Sequence, residues 1–448
     1  MAQVGFVSLG CPKNLVDSEV MLGMLKSAGH ELTSHQEEAE ILIVNTCGFI
    51  QSAQQESIDT ILELAREKTT GRCQRLIVAG CLVERYRQEI QEAIPEVDAV
   101  IGTNEIPKIL ELCRDLNETV TQQAPIFEDR ELFLYDHNNP RELTTPGHTA
   151  YIKIAEGCDH PCTFCVIPQM RGRFRSRSFD SVIEEAERLT RLGVRELNLV
   201  GQDTTMYGWD MGNKNGLADL LARLNEIPEV EWVRFLYAYP NNISVNLLDT
   251  IHQCPKVCSY IDLPLQHASR LVLKGMKRGG NCGSLTRLVA RIRERIPNVV
   301  LRTTMIVGFP GETDDDFDQL MEFAEKVRFD RLGAFVFSDE EHAGSHVLPG
   351  KIPDEVKLER RDRLMNLQSK ISHALNARML GKQIPVMLEG VSKESDFLWQ
   401  GRTQGQAPDI DGVVYLVDGV CRDMKPGEIR NARIDKVHPY DLVGTVMP

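Results

Sequence analysis

The stretch YIKIAEGCDHPCTFC, residues 151–165, decides how the middle of this 448-residue chain folds. Its first five residues, Tyr151–Ala155, predict a buried strand, and a glycine-led loop follows at once. The loop carries three cysteines in CxxxCxxC spacing, Cys158, Cys162 and Cys165. In α/β barrels the active site lies at the carboxyl ends of the strands. The stretch therefore predicts a functional loop at the mouth of a barrel-like sheet.

Three thiolates on one short loop suit an iron–sulfur cluster. They can hold three irons of a cubane cluster, whose full ligation by protein takes four cysteines, so the fourth iron is left open for an outside ligand. A structural zinc ion takes four ligands instead. His160 could supply the fourth, but it lies inside the loop, where reaching the same ion would strain the chain. The spacing favours the cluster, with zinc or inert thiols as the alternatives.

Strand and helix patterns alternate from this stretch to about residue 340. Helical periodicity lies between the strands, for example at Val182–Leu192 and Leu285–Arg295. Six such units predict a partial (βα)6 barrel that need not reach the full eight. The six predicted strands are Tyr151–Ala155, Glu196–Val200, Trp232–Ala238, Tyr260–Leu265, Val299–Val307 and Arg331–Phe337.

The first 115 residues predict a separate doubly wound α/β domain with a parallel sheet. Cys11, Cys47 and Cys81 each follow a predicted strand there, and each stands beside a glycine. Because carboxyl ends of parallel strands meet at one edge, where open sheets bind ligands, these thiols form a candidate second cluster site. The alternative is three small buried cysteines. The predicted strands are Val4–Leu9, Ile41–Val44, Leu76–Ala79 and Ala99–Ile101, and the predicted helices are Leu15–Leu25, Ile58–Leu64, Val83–Ile94 and Ile106–Leu112.

The carboxyl-terminal part changes to short strands after a charged helix that begins at Asp354. The strands predict a small all-β module, in the manner of an open oligonucleotide-binding barrel. A polar stretch at residues 136–146 reads as a linker. We therefore expect domains at 1–140, 141–377 and 378–448. The strands predicted in the last domain are Ile384–Leu388, Phe397–Arg402, Val413–Val417 and Ile429–Val437.

Composition and charge narrow the class of protein. The chain is 42% hydrophobic and 26% charged, as in an ordinary globular protein. No apolar run approaches the roughly 18 residues of a membrane helix, and no basic residue precedes the first apolar stretch, so we expect a cytoplasmic protein without a signal peptide. The net charge of −14 falls mainly on residues 1–150, with 12 Lys and Arg against 24 Asp and Glu. Nucleic acid is a poor partner for such a surface, whereas a basic protein suits it.

Several weaker signals carry no firm assignment. Thr303–Glu312, Val200–Thr205 and Leu263–His267 place polar or turn residues at strand ends, where they either touch a ligand or merely form tight turns. Four alternating arginines either bind an anion or form a solvated face. The remaining six cysteines are expected to be structural. The arginines are Arg171, Arg173, Arg175 and Arg177, and the cysteines are Cys73, Cys113, Cys254, Cys258, Cys282 and Cys421.

Across nearly its whole length the chain resembles the radical S-adenosylmethionine methylthiotransferase family, which joins a cluster domain, a radical domain and a TRAM module. The resemblance implies that Cys158, Cys162 and Cys165 hold a [4Fe–4S] cluster, which binds S-adenosylmethionine through its open iron and cleaves it to a 5′-deoxyadenosyl radical. A second, auxiliary [4Fe–4S] cluster for sulfur delivery would belong to the amino-terminal cysteines. The members of that second set are Cys11, Cys47 and Cys81.

Further candidates for contact with S-adenosylmethionine are Phe164, Gln202 and Gly308. The motifs SLGCPKNLVDSE (Ser8–Glu19), VGQDTT and LPLQH resemble the branch of the family that modifies an aspartate of a small-subunit ribosomal protein. The tRNA-modifying branch reads closer to GCQMN, GQNV and PVQS. One departure is SDEEH at Ser338–His342, where the family reads nearer SPEEGT.

The resemblance therefore predicts methylthio transfer to the β-carbon of an aspartate, with one S-adenosylmethionine as methyl donor and another as radical source. A basic ribosomal protein is the expected substrate, and a flavodoxin or ferredoxin the expected electron donor; the sulfur source is open and tRNA is disfavoured. The rival functions are a tRNA adenosine methylthiotransferase and, outside the class, a two-cluster electron carrier.

Overall fold

The amino-terminal unit is a parallel sheet with helices around it. The computed structural model describes residues 2–114, 116, 133–421 and 423–447. The strands are β1 (Gln3–Ser8), β2 (Glu31–Thr33), β3 (Ile41–Thr46), β4 (Arg75–Gly80) and β5 (Ala99–Ile101). The helices are α1 (Pro12–Ser27), α2 (Gln51–Thr70), α3 (Cys81–Ala93) and α4 (Ile109–Leu112). The strand order is β2-β1-β3-β4-β5, and every neighbouring pair is parallel.

The centre of this sheet follows directly from the sequence, and its edge does not. Every residue of β3 and β4 is buried, because helices cover both faces, and such strands read as continuous apolar runs. β2 was not predicted. Its three residues Glu-Leu-Thr carry no apolar run, and they pair only with the start of β1 at the sheet edge.

The central unit contains six strands that run parallel in barrel order. The strands are β6 (Thr149–Lys153), β9 (Glu196–Val200), β10 (Trp232–Phe235), β11 (Tyr260–Asp262), β12 (Val300–Val307) and β13 (Arg331–Val336), with a short hairpin of β7 (Ala155–Glu156) and β8 (Arg175–Ser176). The helices are α5 (Ile167–Arg171), α6 (Phe179–Arg191), α7 (Gly216–Asn225), α8 (Val245–Gln253), α9 (Arg270–Gly275), α10 (Cys282–Arg295) and α11 (Asp314–Val327).

The six strands form two sheets, β6-β9-β10 and β11-β12-β13, joined by a single bridge between Val233 and Val257. The partial barrel is thus confirmed. β10 and β11 end three residues earlier than expected. Tyr237, just after β10, lies at φ 62°, and Gln266, which forms an isolated parallel bridge with Met305 of β12, lies at φ 74°; both take the left-handed conformation.

The carboxyl-terminal unit is a small closed barrel. Helix α12 (Asp354–Asn376) leads to five strands in the order β14-β15-β16-β18-β17. The strands are β14 (Gln383–Ser392), β15 (Ser395–Arg402), β16 (Val414–Asp418), β17 (Ile429–Val437) and β18 (Leu442–Val446). The small all-β module is confirmed, but the expected open barrel is wrong. The unpredicted β18 pairs with both β16 and β17 and closes the sheet.

Buried ion pairs fix the three units against each other. Arg141, in the predicted linker, donates from Nη2 to Glu19 of α1 at 2.6 Å and from Nη1 to Glu185 of α6 at 2.7 Å. Arg402 of β15 donates from Nη2 to Glu196 of β9 at 2.6 Å. The polar stretch is therefore anchored between domains rather than free. None of the described helices has the length and apolarity that crossing a membrane requires.

Candidate active site

The six cysteines singled out by spacing line one cavity between the first domain and the barrel mouth. It holds about 1290 Å³ of space free of protein atoms, part of it open to solvent. The two domains therefore share one site. Its cysteines are Cys11, Cys47 and Cys81 from the first domain and Cys158, Cys162 and Cys165 from the barrel.

The amino-terminal three cysteines stand at neighbouring strand ends. Cys11 follows β1 and precedes α1, Cys47 follows β3, and Cys81 opens α3 directly after β4. Gly10 lies at φ +88°, and a Cβ there would come within 2.8 Å of the Cys47 Cβ. A glycine is needed at this place because only its backbone lets the two cysteine-bearing turns approach so closely.

Backbone hydrogen bonds shape the CxxxCxxC loop. The Cys158 N–H donates to Gly172 O at 3.2 Å, and the Thr163 N–H donates to Met276 O at 3.1 Å. His160 turns away from the cysteines. Its Nε2 lies 2.7 Å from Asp203 Oδ2, and its ring stacks on Tyr239 at 3.7 Å between centroids. With its ring engaged in this way, His160 is not available as the fourth zinc ligand.

The donor set fits two cubane clusters better than single ions. All the described cysteines are free thiols. No group of three or more His, Cys, Asp or Glu side chains among the described residues is arranged to hold one metal ion. A tetrahedral zinc site needs its sulfurs about 4 Å apart. In a cubane each thiolate binds its own iron, so the sulfurs stand further from one another.

Burial raises the pKa of most of these thiols. It raises the pKa of Cys81 and of Cys165 to about 12, and that of Cys158 to about 11. Burial would also raise the pKa of Cys11, but the nearby charges of Lys13 and Arg171 outweigh it and leave that pKa lowered. Cluster assembly must therefore release protons from most of the cysteines, because only thiolates bind iron.

The cavity wall is cationic. Lys13, Arg171 and Arg278 line it, and none of the described residues in the wall is Asp or Glu. Arg171 is neutralised from behind by Asp17 at 2.7 Å and Glu156 at 3.1 Å. In a chain with a net charge of −14 this local excess of positive charge suits an anionic occupant.

Two of the three candidate cofactor-binding residues line the cavity. Phe164 lies in its wall, and Gln202 does so with its Oε1 buried and without a partner, while its Nε2 donates to Glu156 at 2.7 Å. Gly308 lies outside the cavity wall. Its N–H donates to Glu312 at 2.7 Å, and its Cα faces the side chain of Lys357. The buried free oxygen of Gln202 is an unused acceptor for a bound ligand.

The weaker motifs divide in the same way. Pro264 and Gln266 of LPLQH and Thr304 of TTMIVGFPGE line the cavity. Of the four alternating arginines, only Arg171 lines the cavity. Arg177 is buried elsewhere and pairs with Glu185 at 2.5 Å. None of the six cysteines expected to be structural lines the cavity. They are Cys73, Cys113, Cys254, Cys258, Cys282 and Cys421.

Several residues that line the cavity had no predicted role, and four of them carry a charge or a hydroxyl-bearing ring. One signal was present for Lys13, which stands two residues after Cys11, whereas no pattern marked the aromatic residues or the arginine that follow β10 and α9. The four are Lys13, Tyr237, Tyr239 and Arg278.

The SDEEH departure is an interdomain contact. Glu340 accepts from Arg85 of α3 at 2.7 Å and from Gln54 of α2 at 2.8 Å. The loop thus ties the barrel to the cysteine-bearing domain.

Comparison with known protein families identifies each unit. The chain matches the uncharacterised protein family UPF0004 over residues 3–102, the radical SAM superfamily over residues 152–324 and the TRAM domain over residues 380–447. A solved radical S-adenosylmethionine methyltransferase, TsrM from Kitasatospora setae, shares the fold with a TM-score of 0.55 at 15% identity, over 77% of each chain. Fold and site together define a radical S-adenosylmethionine enzyme with an additional cysteine-bearing domain. A [4Fe–4S] cluster and S-adenosylmethionine are the cofactors of that class.

Curated relatives narrow the class further. The ribosomal protein uS12 methylthiotransferase RimO of Solibacter usitatus is 54% identical over 99% of this chain and 95% of its own length. Those of Koribacter versatilis and Clostridioides difficile are 50% and 45% identical, over 99% and 100% of this chain and 96% and 99% of their own lengths. The chain belongs to this family of methylthiotransferases, and the resemblance stated from its motifs is confirmed.

Proposed function

We propose that this chain inserts a methylthio group at the β-carbon of an aspartate in the small-subunit ribosomal protein uS12. The observation that carries the proposal is the single cavity lined by two three-cysteine sets from two domains. A radical source and a sulfur donor must both reach one carbon atom, and a shared cavity allows this. The relatives are named as methylthiotransferases of ribosomal protein uS12.

The residues on the two sides of the cavity would bind different clusters. Cys158, Cys162 and Cys165 would hold the cluster that binds S-adenosylmethionine, and Phe164 and Gln202 would contact that cofactor. When bound, this cluster supplies the electron that converts S-adenosylmethionine into a radical able to remove hydrogen from an unactivated carbon. The auxiliary cluster would belong to the cysteines of the first domain, which are Cys11, Cys47 and Cys81.

The protein itself binds, orients and excludes water. Tyr237, Tyr239 and Phe49 give the cavity apolar walls that limit solvent access around a reactive species. One S-adenosylmethionine would serve as methyl donor and a second as radical source. No side-chain general base is needed, because the C–H bond beside a carboxylate is too weakly acidic for one.

The partners follow from surface charge. The acidic first domain, with twice as many Asp and Glu as Lys and Arg within residues 1–150, attracts a basic ribosomal protein. The family resemblance, rather than charge, suggests a flavodoxin or ferredoxin as the electron donor. The domain limits that we propose are 1–140, 141–377 and 378–448, which contain the three matched regions.

The decisive experiment compares a strain lacking this gene with its parent. Intact masses of small-subunit ribosomal proteins and the tRNA nucleoside profile are measured side by side. We expect uS12 alone to lose the mass of one methylthio group. Loss of a methylthioadenosine instead would identify the tRNA-modifying function. No change in either, with S-adenosylmethionine left uncleaved by the reduced protein, would favour the electron carrier.

A further inference from the structure

Lys13 is a buried cation that this chain leaves without a carboxylate. Its residue is 8% exposed, in the first turn of α1, and it lines the cavity two residues after Cys11. Among the described residues no Asp or Glu pairs with it, and its charged neighbours are Cys11 and Arg171. A buried ammonium is costly unless it is paired, and a thiolate that would itself bind iron is the only anion beside it, so the absence of a carboxylate among the described residues calls for an explanation.

The comparison with Lys153 shows how unusual this is. Lys153 is also buried next to the site, and it pairs with both Asp17 and Glu156. The nearest side-chain partner of Lys13 is Tyr237, with Nζ 3.3 Å from the ring centroid, and its anionic neighbour is the thiolate of Cys11 rather than a carboxylate. A ring face compensates a buried ammonium less than a carboxylate does, and it leaves the hydrogens of the ammonium free to donate.

The other unpaired cation of the cavity is already engaged. Arg278 donates to Pro264 O at 2.8 Å, lies 3.6 Å from Cys162 Sγ and stacks over Tyr239 at 4.5 Å. It therefore belongs to the side of the radical cysteines. Lys13 lies on the opposite side, between the cysteines of the first domain and Tyr237 at the end of β10.

We propose that Lys13 binds the side-chain carboxylate of the substrate aspartate and so selects the residue that is modified. This inference rests on the proposed function and names the group that recognises its substrate. The β-carbon of an aspartate is bonded directly to its carboxyl carbon. If Lys13 binds the carboxylate, the reacting β-carbon is only one bond away from the bound group and is held between the two cysteine sets.

A competing role for Lys13 is neutralisation of the auxiliary cluster. The two roles predict different selectivity for the side chain of the substrate. A substrate anchor distinguishes an aspartate from an isosteric asparagine, whereas a residue that only balances cluster charge does not. The test therefore combines a change in the enzyme with a change in the substrate.

The experiment uses the full chain with both clusters assembled anaerobically, without reductant, so that no turnover occurs. Binding of labelled uS12 is compared with binding of uS12 whose modified aspartate, located by mass spectrometry, is changed to asparagine. At 0.15 M salt, which screens contacts of the outer surface, we expect the wild-type enzyme to bind the aspartate form about 10- to 100-fold more tightly. Lys13→Met should bind both forms equally.

Two further variants complete the test. Lys26→Met removes an exposed lysine of the same helix and should keep the full discrimination. Lys13→Arg retains the positive charge and should recover part of it. Lys13→Met should also keep the iron and sulfide content and the spectrum of the auxiliary cluster.

Discrimination that persists in Lys13→Met would overturn the inference, and so would loss of the auxiliary cluster in that variant. If wild-type enzyme methylthiolates uS12 but binds both forms equally, the inference fails alone. If wild-type enzyme leaves uS12 unmodified, the proposed function itself fails.

Discussion

Replacing Arg402 by methionine tests how the carboxyl-terminal module is held on the barrel. The Arg402 side chain is 1% exposed and that of Glu196 is 0% exposed. The guanidinium donates to both carboxylate oxygens of Glu196, at 2.6 and 3.1 Å. After the substitution Glu196 retains only Arg234 at 3.3 Å and Thr149 at 3.0 Å.

Two considerations bear on the loss of stability expected for Arg402→Met. Removing one partner of a buried pair costs about 3–5 kcal/mol, because the remaining charge is left uncompensated. Burial alone would raise the pKa of Glu196, but Arg402 and Arg234 outweigh it and lower that pKa to about 2. The lowered pKa shows that its partners together stabilise the ionised carboxylate in the folded state, with Arg402 the largest favourable contribution.

Hydrogen–deuterium exchange measures this free energy locally. In Arg402→Met the backbone amides of β15 should exchange roughly 150- to 5000-fold faster, which corresponds to about 3–5 kcal/mol. Arg430→Met is the matched control, since it breaks an exposed pair with Glu428 and should leave the exchange rates of the β15 amides nearly unchanged. An effect of Arg402→Met no larger than that of the control would refute the reasoning.

Three further predictions concern the clusters, the interdomain contact and pH. Cys11→Ala and Cys158→Ala should each lower bound iron by about half, because each set would hold one four-iron cluster; only Cys158→Ala should abolish release of 5′-deoxyadenosine, and equal loss in both would contradict the assignment. Glu340→Gln leaves the buried Arg85 guanidinium without its anion. We expect methylthio transfer to fall at least about 10-fold while deoxyadenosine release continues, and an unchanged ratio of the two products would count against this. The folded pKa of Glu196 lies below its unfolded value, so its stabilisation is complete above about pH 4.3 and is lost as the pH falls towards 2. The urea midpoint of the metal-free protein should therefore fall more between pH 5 and pH 3 in wild type than in Glu196→Gln, and parallel curves would show that Glu196 does not contribute.

The cysteine sets could be predicted from the sequence because each rests on a regular relation between chain position and geometry. CxxxCxxC is local, so its three thiols lie on one loop whatever the rest of the fold does. Cys11, Cys47 and Cys81 are far apart in sequence, but strands of one parallel sheet end at one edge, and the strand pattern was clear. That both sets line the same cavity depends on domain packing, which no periodicity encodes.

What could not be predicted depends on contacts between distant residues. The role of Lys13 is visible only when the absence of a carboxylate around it is known. Tyr237 and Gln266 have a positive φ, which such residues rarely adopt, so tertiary packing determines the backbone conformation at these two positions. β18 was missed because its pattern Leu-Val-Gly-Thr-Val is short and includes a glycine. Gly308 resembled a ligand-binding turn, but Glu312 and Lys357 occupy its surroundings.

The acid-free cavity wall has a consequence for selectivity. A ribosomal protein consists largely of surface lysines and arginines, and the outer charge of the first domain attracts all of them equally. Inside, those same side chains meet Lys13, Arg171 and Arg278 and, among the described lining residues, no carboxylate. The enzyme thus applies two opposite electrostatic filters in succession, an outer one that accepts a basic protein and an inner one that rejects its basic residues. Only a segment that presents an acid to the interior passes both.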